Sequence, residues 1–192
     1  MNKSGRRKRV LVFMGSPRAK GNSAILALEA ARGAMDSGAE VETFRLAKMK
    51  IGPCLACDGC RKPGAGGCVR KDDMTLLYPK LRSADAVLIA GPVYWFSISA
   101  QIKLFMDRFY AFGAEKYRPL KGKHIGIILT YGDADPFASG AVNALRAFQD
   151  AFAYVGAPIK GMVYGSADKA GEVVANEALM KDAYELGRKL GS

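Results

Sequence analysis

Five short runs, at residues 10–14, 41–46, 86–90, 124–130 and 159–164, alternate with segments whose apolar residues recur near helical period. The first, Val10-Leu11-Val12-Phe13-Met14, is continuously apolar and is ended by Gly15, Ser16 and Pro17. That is how a strand buried on both faces of a parallel sheet reads. The helical segments carry Ile25, Leu28 and Met35 up to a stop at Gly38; Met74, Leu77 and Leu81; Ile102, Phe105, Met106 and Phe109; Val142, Leu145, Phe148 and Phe152; and Ala175, Leu179, Ala183, Leu186 and Leu190. Asn22 and Ser23 are N-cap residue types before the first of these, as are Asp72 and Asp73 before the second. Parallel strands need right-handed helical crossovers, so the alternation predicts an α/β fold: a doubly wound, five-stranded parallel sheet with helices on both faces. A length of 192 residues suits one domain. The predicted division is a basic arm at residues 1–9 and a single domain at 10–192, with a cysteine-rich insert at about 52–72.

The economical strand order is the flavodoxin-like 2-1-3-4-5, in which ligands sit beyond the carboxyl ends of the strands, beside the switch between strands 1 and 3. Three loops fall there. In the first, residues 15–23, Ser16, Asn22 and Ser23 offer neutral donors and Arg18 and Lys20 offer positive charge at a helix N-terminus, where unpaired N–H groups favour an anion. It contains neither G-x-G-x-x-G nor G-x-x-x-x-G-K-[ST], so a terminal monophosphate is a better guest than a dinucleotide or nucleoside triphosphate. The plainer reading is a strand-to-helix turn whose Ser and Asn cap the helix. The second loop, Pro92-Val93-Tyr94-Trp95-Phe96, and the third, Thr130-Tyr131-Gly132-Asp133, together suit a planar ring held between aromatic side chains and backbone amides. Alternatively, Tyr94, Trp95 and Phe96 belong to the core or to a subunit interface.

All four cysteines fall in one short window, Cys54-x2-Cys57-x2-Cys60-x7-Cys68. Spacings of two place three thiolates around one face of a cluster, and the glycine-rich residues 62–67 are pliable enough to return the fourth. Four cysteines suit a [4Fe–4S] cubane. Zinc is a second reading, although four-cysteine zinc sites usually pair two C-x2-C units across a longer spacer. A third reading has no metal, the thiols being free or reacting as a redox pair.

The chain carries 29 Lys and Arg against 18 Asp and Glu, a formal charge of +11. Five of those positive charges, Lys3, Arg6, Arg7, Lys8 and Arg9, fall in the first nine residues. The arm reads as a solvated tail, since no nucleic-acid motif follows it. Its apolar continuation is shorter than the h-region of a signal peptide, and no run is long enough to span a membrane, so the expected location is cytoplasmic. His124, the only histidine, lies at the strand end opposite the three loops and reads as structural. Glu172, Glu177 and Asp182 read as helix surface. There is no Ser-His-Asp arrangement and no H-E-x-x-H.

S-x-R-x-x-x-N-S at Ser16, Arg18, Asn22 and Ser23, P-x-Y at Pro92 and Tyr94, and K-x-x-x-D-R at Lys103, Asp107 and Arg108 resemble the NADPH-dependent FMN reductase superfamily of flavodoxin-like proteins. The matching segments run from about residue 10 to 132. With the cysteine motif after the second strand, the resemblance narrows to the iron–sulfur flavoproteins. It implies FMN with its phosphate on the first loop and its ring against the second and third. It further implies a [4Fe–4S] cluster on Cys54, Cys57, Cys60 and Cys68, and a homodimer or homotetramer with FMN near the subunit interface, for which residues 99–113 are the candidate segment. Lys103, Asp107 and Arg108 stay outside the site as ion-pairing residues, and no side chain is assigned as catalytic because the cofactors carry the chemistry. The expected function is electron transfer between FMN, the cluster and an external carrier or NAD(P)H. Two alternatives stand beside it: an NAD(P)H-dependent FMN or quinone reductase without a cluster, and a redox-responsive binding module whose basic arm meets nucleic acid or an acidic partner such as ferredoxin.

Overall fold

Alternate side chains of the first strand, β1 (Arg9–Met14), enter two different cores, and that split organises the molecule. The computed structural model describes residues 6–65 and 67–192. Leu11 and Phe13 pack with Leu77, Leu81, Phe105 and Phe148, while Val10, Val12 and Met14 pack with Leu26, Ala27, Leu186 and Leu190. The elements that follow β1 are α1 (Asn22–Asp36), β2 (Glu40–Arg45), α2 (Met74–Ser83), β3 (Ala86–Tyr94), β4 (Ser97–Ile98), α3 (Ala100–Asp107), β5 (His124–Tyr131), α4 (Ala141–Tyr154), β6 (Ile159–Ser166) and α5 (Glu177–Gly191). Helices α1 and α5 cover one face of the sheet, and α2, α3 and α4 cover the other.

The long strands are all parallel in the order β2-β1-β3-β5-β6, which is the expected 2-1-3-4-5 once the short β4 is set aside. The sheet has six strands rather than five. The third runs past residue 90 because Val93 and Tyr94 find antiparallel partners in Ile98 and Ser97.

Three expectations need correction. In α1, Leu28 and Met35 are half exposed, and the buried face is the alanine stripe of Ala24, Ala27, Ala30, Ala31 and Ala34 with Leu26. Helix α5 comes too close for larger side chains: a Cβ added at Gly187 would lie 1.8 Å from the Ala30 carbonyl oxygen. The helix expected over 99–113 is α-helical only to Asp107 and tightens into a 3-10 helix, Arg108–Glu115. Residues three apart eclipse there, which keeps Phe109 and Phe112 buried together. Ala175 closes a separate 3-10 turn, Glu172–Ala175, before α5 begins.

At the amino ends of the strands, the Arg6 guanidinium pairs with Asp85 at 2.7 Å, and the Arg9 backbone N–H donates to the same carboxylate at 2.8 Å. Lys3 lies outside the described residues. His124 sits at this same end, where burial, then Lys160 and Lys8, push its pKa below the ordinary imidazole value. Among the described residues, no helix is long and apolar enough to cross a membrane.

Candidate functional site

The carboxyl ends of β1, β3 and β5 open on a cavity of about 170 Å³. The first loop contributes Ser16, Arg18, Gly21, Asn22 and Ser23, the second Pro92, Val93 and Tyr94, and the third Thr130, Tyr131 and Gly132. Ten of the fourteen residues proposed for cofactor binding are thus brought together. Lys20 and Asp133 are exposed beyond the lining, as are Trp95 and Phe96. A fourth segment was missed by sequence reasoning: Ala167, Asp168 and Ala170, after β6. The available signal is the rule already used for the other strands, since a small, polar stretch at the carboxyl end of the fifth long strand is a candidate site loop.

The N-cap of α1 is Gly21, not Asn22 or Ser23. The Asn22 side chain is engaged elsewhere. Its Nδ2 donates to the Ala167 and Lys169 carbonyls at 3.0 and 2.9 Å, and its Oδ1 accepts from the Val173 N–H at 3.3 Å. Glu172, expected on a helix surface, braces the same segment by accepting from the Asp168 and Lys169 N–H groups at 2.9 Å each. With no side-chain cap, the Asn22 and Ser23 N–H groups at the start of α1 have no backbone partner among the described residues, while the Ala24 N–H already donates to the Gly21 carbonyl, and the helix dipole adds positive potential beside the cavity. Burial raises the pKa of Tyr131, so its phenol stays neutral.

Trp95 and Phe96 form the two-residue turn of the β3–β4 hairpin, with φ of 47° and 62°. Positive φ at both central positions is the requirement of a type I′ turn, for which Asn-Gly is the favoured pair. Two bulky aromatics there store strain of about 1–3 kcal/mol each. The neighbouring loop holds them: Asn143 Nδ2 donates to the Phe96 carbonyl at 3.2 Å, and Gly140, itself at φ +74°, approaches so closely that a Cβ would lie 2.5 Å from Phe96 Cα. Trp95 is 93% exposed at the tip.

The cysteine insert leaves the sheet at the same edge, after β2. Its neck is zipped by Asp72 and Asp73, whose carboxylates accept from the Gly52 and Lys50 N–H groups at 3.1 and 2.7 Å. Asp72 also accepts from the Met74 N–H at 3.1 Å. Inside the loop, Ala56 and Asp58 adopt φ of 50° and 51°, and Asp58 accepts from the Tyr110 hydroxyl at 2.7 Å. Arg61 lies over the Tyr110 ring, 4.2 Å from its centroid. Cys60 is buried, Cys68 half-buried, and Cys54 and Cys57 exposed. Burial, then the nearby Cys68, push the Cys60 thiol up. Among the described residues, no three Cys, His, Asp or Glu side chains converge closely enough to hold a metal ion. The donor set, four thiols on one strained loop, is the chemistry of an iron–sulfur or zinc site, and binding one requires the thiols to draw closer together.

The profile of the family described as NADPH-dependent FMN reductase matches residues 8–172. The chain belongs to the NADPH-dependent FMN reductase family. An iron–sulfur flavoprotein of Archaeoglobus fulgidus is 34% identical over 182 residues, covering 93% of this chain and 76% of that one. An iron–sulfur flavoprotein of Methanocaldococcus jannaschii is 37% identical over 149 residues, covering 75% of this chain and 70% of that one. These relatives put the chain in the iron–sulfur flavoprotein subgroup of the FMN reductase family. The NAD(P)H:quinone oxidoreductase of Methanothermobacter marburgensis shares its fold, with a TM-score of 0.78 at 18% identity over 97% of this chain and 98% of that one. Membership of the FMN reductase family makes the chain a flavin-dependent oxidoreductase. The match also extends past the motifs at residues 16–132 to take in the fourth segment of the cavity.

Proposed function

We propose that the chain binds FMN at the carboxyl ends of β1, β3 and β5, and a [4Fe–4S] cluster through Cys54, Cys57, Cys60 and Cys68, and exchanges electrons between them. The observation that carries the reading is the single cavity joining an uncapped helix N-terminus, Arg18 and two buried serines to Tyr94, Tyr131 and the Thr130–Gly132 backbone. One end suits a phosphate and the other a planar ring. FMN supplies one- and two-electron chemistry when bound, and the cluster one-electron transfer.

The chain's own residues bind, orient and exclude water. Ser16, Ser23, Arg18 and the Asn22 and Ser23 N–H groups would receive the phosphate. Asn22 keeps the 167–173 segment closed over it. The third-loop backbone, with Tyr94 and Tyr131, lines the end of the cavity that would hold the ring. Trp95 and Phe96, exposed at the hairpin tip next to the lining residue Tyr94, offer aromatic surface beside the cavity rather than a wall of it, and Lys20 and Asp133 act only as charges at a distance. NAD(P)H or an acidic carrier such as a ferredoxin is the external donor or acceptor. The active form is a homodimer or homotetramer with FMN near the subunit interface, and the site of action is the cytoplasm.

A second reading, an NAD(P)H-dependent FMN or quinone reductase without a cluster, is favoured by the exposure of Cys54 and Cys57. Anaerobic purification followed by flavin, iron and acid-labile sulfide analysis separates the two. Stoichiometric flavin with roughly four irons per chain supports the first reading. Flavin without iron leaves the second. Absence of flavin sinks both.

A further inference from the structure

Arg108 is 1% exposed, although arginine is rarely buried unless fully partnered. Its Nη1 donates to the Gly52 carbonyl at 2.9 Å and to Asp72 at 2.5 Å, and its Nη2 donates to Cys68 Sγ at 3.3 Å. The Nε is buried with no partner among the described residues. A buried ion pair is often no more stabilising than well-packed apolar side chains, and a buried orphan donor adds a penalty. Stability alone is therefore a poor account of this arginine. Its three acceptors have something else in common: Gly52 and Asp72 are the two sides of the insert's neck, and Cys68 is the last cysteine before the chain returns through it.

We propose that Arg108 is the positioning residue of the cysteine site, fixing Cys68 against the neck and donating an N–H···S hydrogen bond that tunes the reduction potential of the bound cluster. The inference rests on the reading of the four cysteines as cluster ligands. Arg108 opens the 3-10 helix Arg108–Glu115, and Tyr110 of the same helix holds Asp58 and Arg61 in the other half of the loop. One rigid turn therefore grips the insert on both sides of its glycine-rich stretch. The Tyr78 hydroxyl in turn donates to the Arg108 carbonyl at 3.1 Å, anchoring that turn to α2. A donor to a ligating sulfur stabilises the more negative, reduced state of a cluster, so its loss lowers the potential.

The test compares the full-length wild type with Arg108→Lys and Arg108→Met. Arg108→Lys retains the charge facing Asp72 but cannot span three acceptors, so it reads the contact to Cys68 with the fold kept, and FMN affinity serves as the fold check in both variants. Cobalt(II) titration of the cluster-free protein, followed by the thiolate-to-cobalt absorption, is expected to show roughly ten- to a hundredfold weaker binding in both, the weight of one charge-assisted hydrogen bond. Spectroelectrochemistry of the reconstituted protein is expected to show a more negative cluster potential with an unchanged flavin potential. Wild-type cobalt affinity and cluster potential in Arg108→Lys overturn the role of Arg108 while leaving the cluster reading intact. A wild type that takes up neither cobalt nor iron overturns both.

Discussion

The Asn22 side chain bonds the Ala167 carbonyl from 145 residues away, tying the start of α1 to the loop after β6. With its bonds to Lys169 and Val173, this makes one amide the clasp between two walls of the cavity. Asn22→Ala removes all three bonds and leaves carbonyls without donors, a loss of about 2 kcal/mol. FMN dissociation constants, measured by flavin fluorescence quenching, are expected to rise about tenfold or more. Asn22→Asp is expected to do worse than alanine, because it turns a carboxylate toward the same carbonyl oxygens.

The hairpin tip places function against stability. Replacing Trp95 and Phe96 by Asn and Gly supplies the pair that a type I′ turn prefers and releases the strain of two aromatics at positive φ. The melting temperature of the flavin-free double variant is expected to rise, by an amount equivalent to about 1–2 kcal/mol. Turnover and FMN affinity are expected to fall. A variant that is less stable than the wild type shows that the turn is not strained.

The strand order and most of the cavity were legible in sequence because the signals are local: apolar runs ended by Gly and Pro, and polar or aromatic loops at known strand ends. What was not legible depends on partners distant in sequence. The buried face of α1 is an alanine stripe that has little hydrophobic contrast with Leu28 and Met35, and only the close approach of α5 selects it. Ala167, Asp168 and Ala170 form a short stretch with no aromatic residue and no recognised motif, and Asn22 reads as a helix cap until the segment it clasps is seen. The K-x-x-x-D-R motif split in an unforeseen way: Lys103 and Asp107 form an exposed i,i+4 pair, while Arg108 turns inward to Cys68.

The α1–α5 contact is expected to tolerate no added methyl group. At Gly187 a Cβ would overlap the Ala30 carbonyl, which is backbone and cannot rotate away. Gly187→Ala therefore forces the helices apart, at a cost of about 3 kcal/mol or more. Urea denaturation is expected to show a lowered midpoint with an unchanged slope. Leu28→Ala, half exposed on the same helix, serves as the control and is expected to cost under about 0.5 kcal/mol.

Acid sensitivity is expected to centre on Asp85. Burial alone pushes this carboxyl up, but the Arg6 guanidinium, the Arg9 N–H and Lys123 outweigh it and hold its pKa below the usual carboxylate range. His124, whose backbone N–H donates to the Asp85 carbonyl at 3.1 Å, has its own pKa lowered by burial and by Lys160 and Lys8, against the opposing pull of Asp85. A pKa lower in the folded than in the unfolded chain stabilises the fold above the unfolded value of about 3.9, and that contribution is lost as pH falls through the folded value. Thermal melts of wild type and Asp85→Asn are therefore expected to differ most at neutral pH and to converge below about pH 4. A gap of constant size across that range would show that Asp85 acts through packing and hydrogen bonding rather than through its charge.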